Sequence, residues 1–258
     1  MKLTTLGCWG AYPYQDEGTT SYLLTGKDGF QLLIDAGSRA LNELEKEMSP
    51  LDLDAVIISH YHPDHIADLG VLRHYFQLYP KHLWEPKVLP IYGHDEDPYE
   101  FSKLTLEGVS QGLAYDVSQG QQIGPFDITF VKTVHPVPCY AFRIIERATG
   151  QVFVFTGDTG YFDGLDEFAA GADLFLADVY LYEGNENHIA HLTSKEAGQI
   201  ARQAEVKRLV LTHMPPVPPA GIAPDNHLEV LRSQTEVYSG GIPVELASPH
   251  KSWEIGDC

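Results

Sequence analysis

Cysteine is scarce in this chain, with only Cys8, Cys139 and Cys258 among 258 residues. The count is odd, the spacings are wide and no C-x-x-C occurs, so a disulfide framework is not expected and a reducing cytoplasm is the expected compartment. Cys139 reads as a small buried thiol. Basic residues are also few: Lys+Arg is 17 against Asp+Glu 36, a formal net charge of −19. Phosphate backbones are gripped mainly by Lys and Arg, so nucleic acid is not the expected partner. Long apolar runs are missing, since nothing approaches the roughly 20 residues of a membrane span. Leu6-Gly7-Cys8 faintly resembles a lipoprotein cleavage site, but the residues before it are too few for the apolar core of about 7–15 that a signal peptide needs. A Gly-rich dinucleotide loop, a P-loop and a Gly-x-Ser-x-Gly elbow are all lacking, which argues against a nucleotide cofactor and a serine nucleophile. Repeats, low-complexity stretches and long charge blocks are absent too. With 43% hydrophobic residues, the expectation is one domain over residues 1–258.

What the chain does have is histidine and aspartate placed directly after apolar, strand-like runs. His60-Tyr61-His62-Pro63-Asp64-His65 follows Ala55-Val56-Ile57-Ile58-Ser59. His135 follows Ile128 to Val134, Asp158 follows Phe153-Val154-Phe155-Thr156, and His213 follows Leu209-Val210-Leu211-Thr212. Strands lying side by side would bring these ends to one rim. His60 and His62 stand two apart, so in extended backbone both imidazoles reach one side. Neutral imidazole and carboxylate suit Zn²⁺, with Mn²⁺ or Fe²⁺ as alternatives. A catalytic zinc uses three protein ligands; His60, His62, Asp64, His65, His135, Asp158 and His213 are too many for one ion and suit two divalent transition metals.

The coarse periodicity predicts strands at Lys2 to Leu6, Ser21 to Thr25, Phe30 to Ile34, Ala55 to Ile58 and Val88 to Tyr92. It predicts helices over Ser38 to Met48, Asp64 to Tyr79 and Pro98 to Glu107. Strands dominate from Leu113 to Thr156. Short helices or strands then follow at Asp163 to Ala170, Leu174 to Ala177, Leu209 to Thr212, Asp225 to Tyr238, Val244 to Leu246 and Ser252 to Ile255. Thr193-Ser194-Lys195-Glu196 fits a capping box that opens a helix ending near Glu205. Two batches of strands with helices between and after them imply sheets packed face to face with helices outside.

The pattern His60-x-His62-x-Asp64-His65, then His135, Asp158 and His213, resembles the metallo-β-lactamase superfamily over nearly the whole chain. That resemblance implies an αββα four-layer sandwich with a dinuclear site at one rim. It implies that His60, His62 and His135 hold one metal, that Asp64, His65 and His213 hold the second, and that Asp158 bridges them. Within the superfamily, Thr156-Gly157-Asp158-Thr159 and Leu211-Thr212-His213 are similar to the RNase Z branch. Leu174 to Asp178 and His191-Leu192-Thr193 resemble that branch's carboxylate and histidine pair. The pair implies that Asp178 orients His191, and that His191 protonates a leaving oxygen or steadies the phosphoryl group. Asp178 departs from the Glu usual there. The plainer alternative makes Asp178 a structural strand-end carboxylate and His191 a cap for the following helix. Asp64 could take a proton as well as bind metal.

Two features bear on the substrate. Residues 136–157 read as two short strands and a turn, with no room for the long tRNA-gripping arm of full-length RNase Z enzymes. The loop Gly10 to Gly18 is acidic, with Asp16 and Glu17, where those enzymes are basic. The expected function is therefore metal-dependent hydrolysis of a small or cyclic phosphodiester. The alternatives are tRNA 3′ processing, ester, lactone or thioester hydrolysis, and a non-catalytic metal-dependent sensor. The oligomeric state stays open between monomer and homodimer. His94 reads as a solvated loop histidine beside the rim, and Tyr61 and Tyr161 as either pocket lining or packing. His74, His82, His188, His227 and His250 have no partner legible in the sequence.

Overall fold

The computed structural model describes residues 1–256, so Cys258 lies outside the described residues. In chain order the first half contains strands β1 (Lys2–Trp9), β2 (Gly18–Thr19), β3 (Ser21–Thr25) and β4 (Gln31–Ile34), then helix α1 (Ala40–Glu47). Strand β5 (Ala55–Ile57), helices α2 (Pro63–Ile66) and α3 (Leu69–Leu78), strand β6 (Leu89–Gly93), helix α4 (Pro98–Ser102) and strand β7 (Ser110–Ala114) follow. The second half contains β8 (Gln121–Ile123), β9 (Phe126–Lys132), β10 (Tyr140–Glu146) and β11 (Val152–Phe155), then α5 (Leu165–Ala169) and β12 (Leu174–Asp178). It ends with α6 (Ser194–Gln203), β13 (Leu209–Thr212), α7 (His227–Tyr238), β14 (Val244–Leu246) and β15 (Ser252–Glu254).

Two sheets result. One runs β15-β1-β3-β4-β5-β6-β7 with β2 beside β1, and the other runs β14-β13-β12-β11-β10-β9-β8. Strand alternation divides the first sheet's side chains between its two faces. Tyr22, Leu24, Leu32, Ile34 and Ile57 join a core with Phe142, Phe153, Phe155 and Phe175 of the second sheet. Leu23, Leu33, Val56 and Ile58 point the other way, to Leu44 of α1 and Leu72 and Phe76 of α3. On the far side of the second sheet, α6 supplies Ala197, Ile200 and Ala201. The layers are therefore helix, sheet, sheet, helix, as the sequence pattern implied. Tyr22 joins the sheets at their centre: its ring stacks edge-on to Phe155 at 5.4 Å and its hydroxyl bonds Thr212 Oγ1 at 2.5 Å.

Strand direction places the chemistry. Strands β4, β5 and β6 are parallel, as are β11, β12 and β13, and β9 runs the same way as β11 because both are antiparallel to β10. Their carboxyl ends form one rim, the usual location of ligand sites in open α/β sheets.

Two expected helices are shorter than the periodicity predicts. The helix expected over Asp64 to Tyr79 is split into α2 and α3. Its middle bonds to another segment instead: Ala36 N donates to His65 O at 2.7 Å and Asp68 N donates to Ala36 O at 3.0 Å. The helix expected to reach Glu107 stops at Ser102. Beyond it the chain folds onto β7, with Ser110 N bonding Leu106 O and Ser110 Oγ bonding Leu104 O. The capping box is present as read: Thr193 Oγ1 accepts from Glu196 N at 3.2 Å, and Thr193 N donates to Glu196 Oε2 at 2.9 Å.

Candidate metal centre

Each strand end delivers its residue to the rim. After β5 the chain stays extended through His62, and Pro63 opens α2, so Asp64 and His65 fall in the first helical turn. His135 lies just past β9, Asp158 past β11 and His213 past β13, and Asp178 is the last residue of β12. His213 has φ of 50° and Asp35, just past β4, has φ of 55°. This left-handed backbone costs about 1–3 kcal/mol where the side chain is not glycine, and it turns both side chains back over the rim. Gly10 crosses close above. A Cβ there would stand 2.7 Å from Tyr180 Cδ2 and 2.8 Å from His213 Nδ1, so only glycine fits.

All seven residues read from the sequence converge. His60, His62, His135 and Asp158 form one set and Asp64, His65, Asp158 and His213 another, and within each set the ligand atoms lie within 4.8 Å of one another. His62 Nδ1 stands 3.0 Å from both His60 Nε2 and His135 Nε2. In the second set, His213 Nε2 is 3.1 Å from Asp64 Oδ2, and His65 Nε2 is 3.2 Å from Asp158 Oδ1. Asp158 belongs to both, its Oδ2 lying 3.7 Å from His60 Nε2 and 3.3 Å from His213 Nε2.

The far side of each ring explains why the near side is free. His65 Nδ1 donates to Asp35 Oδ2 at 2.7 Å, and His135 Nδ1 donates to Ala190 O at 3.1 Å. Ser59 Oγ donates to Asp35 Oδ2 at 2.7 Å and lies 3.1 Å from His60 Nδ1. His213 Nδ1 faces Asp178 Oδ1 at 3.3 Å. Such outer partners fix the tautomer and aim the other nitrogen, as they do at metal sites. Asp35 was not singled out in the sequence. The signal was there, an aspartate directly after the strand-like run ending at Ile34, the same placement as Asp158.

Electrostatics and hydrogen bonding both fit cation ligands. His65 Nε2 and Asp158 Oδ1 are buried and complete no hydrogen bond. Leaving such groups unmatched costs about 1–3 kcal/mol each, so adjacent orphans facing one space match a site built for ions. Burial holds His60, His62 and His135 toward the neutral form that ligates metal. Burial also opposes charge on His65 and His213, but Asp158 with Asp35 pushes His65 up to about 10, and Asp158 with Asp178 raises His213. Burial alone would raise Asp158, yet His213, His65 and His60 hold it well below the usual carboxylate range.

Beside the cluster, His191 Nδ1 donates to Asp178 Oδ2 at 2.9 Å. Asp178 is fully buried, whereas the His191 side chain is 18% exposed. Thr193, not His191, is the N-cap of α6, so the capping role for His191 does not hold. His191 stacks on His213 at 5.1 Å and packs against Tyr180 at 5.0 Å.

The remaining candidates separate. His94 is 3% exposed, so the solvated-loop reading is wrong: the ring packs between Tyr61 at 4.5 Å and Tyr140 at 5.8 Å. Tyr61 lines a pocket with His62 and His94. Tyr161 is exposed and turns its hydroxyl to Asp163 Oδ1 at 3.5 Å. Glu17 of the acidic loop is engaged by Trp9 Nε1 at 2.8 Å. Cys139 is buried beside the rim, and burial pushes its thiol up. No helix among the described residues is long and apolar enough to cross a membrane.

Comparison with known proteins agrees with this geometry. The family pattern described as "Beta-lactamase superfamily domain" matches residues 31–214. The chain is 42% identical over 216 residues to "Probable metallo-hydrolase YhfI" of Bacillus subtilis strain 168, covering 83% of this chain and 87% of that protein. The crystal structure of YhfI superposes with a TM-score of 0.87 at 38% identity, covering 98% of this chain and 99% of that one. The short form of human tRNase Z gives a TM-score of 0.73 at 19% identity, covering all of both chains. A diphosphatase of the PhnP family gives 0.73 at 17% identity, covering 100% of this chain and 98% of that one; at such identities the likeness concerns the fold alone. The fold, the matched family and the His/Asp residues arranged for metal binding agree: the chain belongs to the metallo-hydrolases of the beta-lactamase superfamily.

Proposed function

We propose that the protein is a phosphodiesterase acting on small phosphodiesters through two divalent ions of the zinc type. His60, His62 and His135 would hold one ion, Asp64, His65 and His213 the other, and Asp158 both. Bound there, two such ions would supply activation of a water and neutralisation of charge developing on the leaving oxygen. The observation that carries the reading is the Asp178–His191 pair at 2.9 Å, set beside the ligand cluster. With Nδ1–H engaged by Asp178, His191 Nε2 is the nitrogen left to face substrate, and a partly exposed imidazole suits donation of a proton to a leaving alkoxide. A metal store or sensor has no use for such a pair.

Three features support a small substrate. The net charge is −19, which disfavours a long polyanion. The hairpin β10–β11 fills the interval between His135 and Asp158 and carries no arm. The loop after β6 carries Asp95, Glu96 and Asp97, and Asp97 lines a pocket with His62. Protein loaded with zinc should cleave bis(p-nitrophenyl) phosphate and cyclic nucleotides faster than lactones or pre-tRNA. Lactone or thioester turnover exceeding diester turnover would remove the phosphodiesterase assignment while leaving the metal centre in place.

A further inference from the structure

The pocket next to His62 has a built wall that the chemistry above does not use. It measures about 220 Å³ and is lined by Tyr61, His62, His94, Asp97, Glu100 and Pro138, among others. At ~30 Å³ per water it has room for about seven waters, and it falls short of the ~300–1,000 Å³ that encloses a whole ligand. It therefore suits one substituent of a substrate whose reacting centre lies elsewhere. The reacting centre is adjacent, because His62 lines the pocket while its Nδ1 converges with His60 and His135.

His94 is the feature that points to a ligand. It is 3% exposed, and neither ring nitrogen completes a hydrogen bond with the protein. Burial holds the ring toward its neutral form against Glu96, Asp97 and the Pro138 carbonyl, and that carbonyl does not reach hydrogen-bond geometry with either nitrogen. A buried imidazole with both nitrogens unmatched is costly. Tyr61 fixes the backbone beneath it by donating its hydroxyl to His94 O at 2.6 Å. Asp97 adds an acceptor. Its Oδ1 takes both cap bonds of α4, from Tyr99 N at 3.1 Å and Glu100 N at 3.0 Å, so Oδ2 is not used by the cap, and the residue lines the pocket. Glu100 pairs with Lys103 at 2.5 Å, Glu96 pairs with Lys132 at 2.5 Å, and no Lys or Arg lines the pocket among the described residues.

We propose that this pocket is the subsite for the substrate's organic substituent, and that it takes a group with hydrogen-bond donors and no negative charge (a sugar hydroxyl or an ammonium) while excluding a second phosphate. The inference rests on the phosphodiesterase reading, which places the phosphoryl group at the metal cluster. His94 meets the donor with one ring nitrogen, Asp97 with Oδ2, and the Asp97 carboxylate repels further anionic charge.

Titration calorimetry on the full zinc-loaded chain reads the pocket without turnover. Methyl phosphate, phosphocholine, thymidine 5′-phosphate and thymidine 3′,5′-bisphosphate are the probes. Phosphocholine or thymidine 5′-phosphate should bind at least about tenfold tighter than methyl phosphate. The arm that wins identifies ammonium or hydroxyl as the occupant. The bisphosphate should bind more weakly than the monophosphate. His94→Phe should erase the preference over methyl phosphate with metal content unchanged. Asp97→Asn, which retains the helix cap but not the charge, should relax the exclusion of the bisphosphate. Equal binding of all four probes by the native protein, or a preference that survives His94→Phe, overturns the subsite. Diester turnover fails separately: diesters cleaved with no binding preference defeat the pocket alone, and no diester cleaved by metal-loaded protein defeats the phosphodiesterase reading.

Discussion

Asp178 holds two histidines with its two oxygens: Oδ2 accepts from His191 Nδ1 at 2.9 Å, and Oδ1 faces His213 Nδ1 at 3.3 Å. One buried carboxylate thus orients His191 on one side and a histidine of the ligand cluster on the other, as the proposed proton-donor role of His191 requires. Aspartate in place of the longer Glu expected from the resemblance still spans both contacts: Asp178 is the last residue of β12, and Thr159 N donates to Oδ2 at 3.0 Å.

Replacing His191 with Ala should therefore lower the rate by about 10²–10⁴ while metal content stays intact. The loss should shrink for nitrophenolate esters, whose leaving group needs no proton. Asp178→Ala should show the same loss and in addition weaken metal binding by about 10–100-fold, since His213 loses its orienting partner. Rates on a leaving-group series, with elemental analysis of each variant, separate the two roles; metal lost from His191→Ala would make that residue a ligand instead.

Protein purified with added zinc should contain two ions per chain, and Asp158→Ala should lose most of the second. Asp158 is the one carboxylate shared by both ligand sets. Elemental analysis that finds a single ion in the native protein would contradict the shared-carboxylate reading.

Asp35 bonds one member of the cluster, His65, and Asp35→Asn should weaken metal binding by about 10–100-fold. Its two oxygens hold His65 Nδ1, Ser59 Oγ and Ser59 N, all at 2.7 Å. Competition with a chromogenic chelator measures the effect. Unchanged affinity would show that the His65 ring is held by packing alone.

Away from the rim, Glu43 gives a pH signature. It is buried with Lys46 Nζ at 2.6 Å and His250 Nε2 at 2.8 Å. Burial opposes its charge, but Lys46 and His250 outweigh burial and lower its pKa below 4.5. A depressed folded-state value stabilises the fold above the unfolded pKa, and that stability is lost as pH falls through the folded value. Glu43→Gln should cost about 1–2 kcal/mol near pH 7, with the gap to native protein closing below about pH 4. Denaturant unfolding across that range checks it, and a gap independent of pH would assign the cost to packing.

The residues arranged for metal binding were legible in the sequence because they cluster just past strands, where apolar runs of three to five residues give way to His or Asp. Asp178 and His191 required the resemblance, since nothing in their spacing tells that they meet. His94 and the histidines at 227 and 250 were illegible for another reason. Their partners come from remote segments: His227 Nδ1 bonds Tyr182 at 2.9 Å, and His250 bonds Glu43 and Glu47. Burial of His94 depends on aromatic packing from Tyr61 and Tyr140, on different strands' ends. The helix break at residues 67–68 was hidden because its cause is Ala36, a residue on the far side of α1.

Competitive cleavage at low ionic strength, where screening is weakest and RNA has its best chance, decides whether the protein is a two-metal phosphodiesterase for small substrates. Zinc-loaded protein is given pre-tRNA together with cyclic nucleotide and aryl diesters. A two-metal phosphodiesterase should turn over the small diesters with little tRNA 3′ cleavage. Efficient tRNA processing with the small diesters left intact would contradict it.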